Sequence, residues 1–75
     1  MSQHKYKIGT LILSEADLLI GVVIGHERLE FEYMPCYLIS WSVDGRQIQN
    51  IVNELYMDEC VNTYKEMTKQ WSMNG

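Results

Sequence analysis

The chain has 75 residues, of which 47% are hydrophobic and 21% charged, with six basic residues against ten acidic ones and a net charge of −4. This is the composition of one small globular domain, and a chain of this size buries only about 60% of its unfolded surface, so association with a partner is a natural source of further burial. Lys5, Lys7, Arg28, Arg46, Lys65 and Lys69 never form a run. A phosphate-binding face is therefore not expected, because nucleic-acid affinity rests on clustered cations.

Two cysteines, Cys36 and Cys60, are too few for a secreted disulfide framework and are expected as reduced, buried thiols of a cytoplasmic protein. The polar start is not a signal peptide, and no apolar stretch approaches the ~20 residues of a membrane span.

In chain order, Lys7–Leu13 reads as a first strand, and Ser14–Asp17 as a loop whose Ser-x-x-Asp spacing also suits a helical turn. Leu18–Gly25 has the length of a strand or a short buried helix. Its β-branched residues and two interior glycines favour a strand, with Gly21 and Gly25 marking bends or a bulge. His26–Arg28 is expected as a turn. Leu29–Tyr33 alternates, which predicts an amphipathic strand that ends at Met34-Pro35. Cys36–Ser42 alternates again, placing Tyr37, Ile39 and Trp41 on one face.

Asp44-Gly45 between two strand-like runs is a hairpin turn, since glycine accepts positive φ without steric cost. The following segment carries Ile48, Ile51, Val52 and Leu55 and is compatible with a helical stripe, but the preceding hairpin favours a strand within residues 47–56. From Met57 the period changes. Met57, Cys60, Val61, Tyr64, Met67 and Trp71 line one face of a helix expected over residues 57–71.

The order of elements resembles an SH3-like small barrel of four to five antiparallel strands. The residues that carry the resemblance are Ile8-Gly9-Thr10-Leu11-Ile12, Ile20-Gly21-Val22-Val23, and Tyr37 to Gly45 with its Trp41. Short uncharacterised phage proteins look similar, and the likeness spans roughly residues 7–60. It implies a mainly β domain over residues 1–75, with a barrel at about 7–56 and a C-terminal helix at about 57–71. Such folds host many functions. The aromatics of polyproline-binding relatives are present, but their Ala-Leu-Tyr-type segment is not.

No catalytic, cofactor or metal motif is legible. His4 and His26 lack a His-x-x-x-His or Cys-x-x-Cys context, neither cysteine has a base placed beside it by a signature, and no Asp-x-Asp calcium loop exists. Glu27, Glu30 and Glu32 read as the solvated face of a strand, and Asp44 as turn chemistry. Tyr37 and Trp41 are expected in the core.

The expected function is a non-enzymatic protein-interaction or structural module that self-associates, with no cofactor. Tyr64, Met67 and Trp71 of the helix and Tyr33 of the preceding strand are its candidate contact residues. The second reading is a weakly nucleic-acid-binding barrel.

Overall fold

A computed structural model describes residues 4–73, with side chains as far as residue 69. Four strands, β1 (Leu11–Leu13), β2 (Ile20–Glu27), β3 (Cys36–Val43) and β4 (Arg46–Asn53), precede one helix, α1 (Glu54–Met73). The strands form a single antiparallel sheet in sequential order. Among the described residues no pairing joins β1 to β4, so the sheet is open and the barrel closure expected from sequence is absent. Three residues of β1 are too few to bend round and meet an eight-residue β4.

The β3–β4 hairpin forms where the Asp-Gly pair predicts it. Asp44 and Gly45 both have positive φ, 49° and 78°, which makes a two-residue turn whose twist matches that of the flanking strands. The register then runs unbroken through eight pairs from Val43↔Arg46 to Cys36↔Asn53.

Between β2 and β3 the register shifts at Val23/Gly25, so Ile24 is an extra residue. The bulge has a consequence for which face each residue takes. Val23 and His26, three apart, pair with Ile39 and Tyr37 and therefore share a face of the sheet. This also corrects the expected His26–Arg28 turn, since β2 continues through Glu27.

Leu29–Tyr33 is not a strand. With His26↔Tyr37 and Glu27↔Cys36 already paired, residues 28–35 become the β2–β3 connection and pair with no strand. The expected faces are inverted there: Phe31 and Tyr33 are 94% and 99% exposed while Glu32 is half-buried.

Helix α1 begins without a loop, three residues earlier than its apolar period predicts. Asn53 is the cap, its Oδ1 accepting the Tyr56 N–H at 3.0 Å. The helix lays Met57, Cys60 and Val61 on one face of the sheet, against Ile12, Val23, Tyr37, Ile39 and Trp41. Each such aliphatic burial is worth about 1.5–3 kcal/mol. Tyr37 and Trp41 are core residues, as expected, and both cysteines are buried and free. Among the described residues no helix is long and apolar enough to cross a membrane.

Candidate interaction surfaces

The register sorts the sheet into two faces. Ile12, Gly21, Val23, Tyr37, Ile39 and Trp41 lie on the side of α1. Their neighbours Leu11, Ile20, Val22, Leu38 and Ile51 lie on the other side, where among the described residues no element is packed across the centre of the sheet. Ile20 is 52% exposed, Leu11 45% and Ile51 42%. Ser40, Ser42, Gln47 and Gln49 share that side, so it is apolar along β1 and β2 and at Leu38 and Ile51, and polar between them.

This face is covered in two places: Leu13, paired with Ile20 on the same side, is 4% exposed. Cys36, on the same side, is buried under the 28–35 segment, and its thiol donates to the Met34 carbonyl at 3.6 Å. Burial pushes that thiol above its ordinary range, with Glu32 adding to the effect, so it is not an activated nucleophile. Burial raises Cys60 in the same way.

The two outer edges differ. Strand β1 is short, whereas β4 runs for eight residues, six of them exposed, with a charge only at Arg46 and without lysine, proline or a bulge. Those are the devices by which sheets usually blunt an edge.

A polar cluster that no sequence pattern announced ties the N-terminal segment to the sheet and the helix. Tyr37, fully buried, donates its hydroxyl to Glu54 Oε2 at 2.8 Å and accepts the Tyr6 N–H at 3.3 Å. Tyr6 donates to Asp58, which also takes the Lys5 ammonium at 2.9 Å. His4 and His26 stack with centroids 4.3 Å apart, both edge-on to Tyr37. His4 Nε2 lies 3.1 and 3.0 Å from the Glu27 and Cys36 carbonyls, and His26 Nε2 lies 2.7 Å from the Tyr6 carbonyl. A carbonyl only accepts, so Nε2 carries the hydrogen in both rings.

Electrostatics in this cluster follow the bonds. Desolvation and the hydrogen bond to Asp58 hold the Tyr6 phenol well above its ordinary value, and desolvation with the bond to Glu54 does the same for Tyr37. The Tyr6 and Lys5 hydrogen bonds hold the Asp58 carboxyl below the usual range. Among the described residues no buried side-chain nitrogen or oxygen lacks a hydrogen-bond partner, and these bonds make the cluster a tether. No group of three or more His, Cys, Asp or Glu is placed to hold a metal among the described residues.

One shallow cleft of about 250 Å³ lies beside the helix start, lined by Leu19, Trp41, Ile48, Asn50 and Tyr56. Trp41 Nε1–H donates to Asn50 Oδ1 across its floor at 2.8 Å.

Of the contact residues expected from sequence, Tyr64 and Met67 lie three apart on α1 and Tyr33 lies in the β2–β3 connection. Tyr64 and Met67 are half-buried on α1, beyond the last fully buried helix residue, Val61. Tyr33, at 99% exposure, touches neither. The side chain of Trp71 lies outside the described residues. The open sheet face and the β4 edge were missed because both depend on which strands are neighbours. The segment was expected as a strand from the preceding hairpin, but a strand looks the same in sequence whether it is central or at an edge.

Compared with family models, with curated proteins and with solved structures, the chain matches none.

Proposed function

We propose that this chain is a non-enzymatic, self-associating interaction module. The observation that supports the reading best is the half-covered sheet, with Leu11, Ile20, Val22, Leu38 and Ile51 on a face that no second layer covers among the described residues. A small domain gains little from a single-sided core, and exposed apolar residues on an open sheet face are a mark of contact with another molecule. The half-buried Tyr64 and Met67 and the exposed Phe31 and Tyr33 add apolar surface of the kind enriched at interfaces.

Sedimentation velocity of the full chain, from low to high micromolar concentration, tests the reading. Association that grows with concentration is the expected result. A monomer throughout that range would overturn it.

A further inference from the structure

We infer that the second copy docks along the β4 edge, pairing β4 antiparallel with itself to make one continuous eight-stranded sheet. The proposal rests on the self-association just proposed and names the surface that performs it.

The argument begins with the hairpin. Its two-residue turn makes Val43↔Arg46 a hydrogen-bonded pair, and such pairs alternate along an antiparallel ladder. Arg46, Ile48, Asn50 and Val52 therefore direct their backbone groups towards β3. Gln47, Gln49 and Ile51 direct both N–H and C=O outward, and Asn53 directs its N–H outward. These groups form a straight row with no device to blunt it.

Symmetry restricts how two such edges meet. A two-fold axis relating antiparallel neighbours stands perpendicular to the sheet, so both helices fall on the same side. Residues directly opposite each other must then share a face, and their numbers must add to an even sum. The register with Asn50 on the axis uses the row most completely. Gln49 exchanges both backbone bonds with Ile51 of the second copy, and the Asn53 N–H reaches the carbonyl of Gln47.

Side chains favour the same register. On the helix side Ile48 stands opposite Val52, twice by symmetry. Arg46, exposed and without an ion-pair partner among the described residues, comes opposite the Glu54 carboxylate at the start of the other α1. Moving the axis to Gln49 would set Ile48 against Asn50 and Arg46 against Val52, losing both the apolar and the charge match. Because α1 packs mainly along β1, it leaves this edge uncovered.

Cross-linking and solution mass test the proposal together, using the full chain. An Asn50→Cys variant places two thiols at a non-hydrogen-bonded pair, where Cα atoms lie about 4.5 Å apart and a disulfide closes readily. An Ile48→Cys variant places them about 13 Å or more apart along the strands, too far to bridge. The native thiols are buried and do not compete.

Gln49→Pro removes an outward N–H and no β3–β4 bond, and should weaken association by more than about tenfold. Circular dichroism of each variant confirms that the sheet and helix persist. Oxidative dimerisation of Asn50→Cys but not Ile48→Cys, with weakened Gln49→Pro, is the expected result. An associating wild type whose Asn50→Cys variant stays uncross-linked would overturn the edge and leave self-association standing. A monomeric wild type would overturn both.

Discussion

Gly21 is the position where the packing leaves least room, and adding one methyl there tests the core directly. An alanine Cβ at Gly21 would stand 2.7 Å from Trp41 Cε3 and 2.9 Å from Ile39 Cγ2. Ordinary carbon contacts lie at about 3.5–4.0 Å, so the neighbours must retreat by nearly ~1 Å. Neither is free to do so. Trp41 is 5% exposed and held by its bond to Asn50, and Ile39 is fully buried.

Gly21 is not among the residues with positive φ, so the backbone itself accepts alanine and the cost is steric. Overpacking of this kind costs about 1–3 kcal/mol, and alanine returns about 0.4–1 kcal/mol by restricting the unfolded chain. The net loss should be about 1–2 kcal/mol, which lowers Tm by roughly 5–15 °C in a domain of this size. Thermal and urea unfolding followed by far-ultraviolet circular dichroism measure it. A Gly21→Ala protein as stable as the wild type would refute the close approach of Trp41 to the β2 backbone.

Two further outcomes follow from burial and from the tether. Ile12→Ala, at a fully buried site, should cost about 2–5 kcal/mol, whereas Phe31→Ser, at 94% exposure, should change stability by less than about 0.5 kcal/mol; paired denaturation curves check the contrast. The lowered Asp58 carboxyl contributes stability above its unfolded value near about 4, and that contribution should disappear as pH falls through the lower folded value. The raised Tyr6 and Tyr37 phenols act in the opposite direction, contributing fully below about pH 10 and less as pH rises through their folded values. Tm measured against pH should fall at both ends, and Asp58→Asn should flatten the acid limb; an Asp58→Asn profile that overlays the wild type would contradict the tether.

Local chemistry was legible where one interaction dominates. Asp44-Gly45 announced its turn because only a few residues accept positive φ, and Gly25 marked a bulge, which falls beside it at Ile24. Tyr37, Ile39 and Trp41 were readable as one buried face from alternation alone.

Leu29–Tyr33 misled because alternation specifies a face and not a partner, and the segment serves as the connection between two strands already paired to each other. The early start of α1 was hidden because Asn53 is at once the last residue of β4 and the helix cap. Barrel closure, the open face and the exposed edge are properties of strand order, which local sequence does not encode. The tether joins residues such as Tyr6 and Asp58, 52 positions apart, and so left no spacing to read.

Amide hydrogen exchange along β4 bears most directly on the claim that this edge is where two copies meet. The N–H groups of Ile48, Asn50 and Val52 are committed to β3 and should be protected at every concentration. Those of Gln49 and Ile51 point outward, so they should exchange rapidly in dilute solution and become protected as the protein is concentrated. Rapid exchange at Gln49 and Ile51 in a sample that sedimentation shows to be associated would contradict the account.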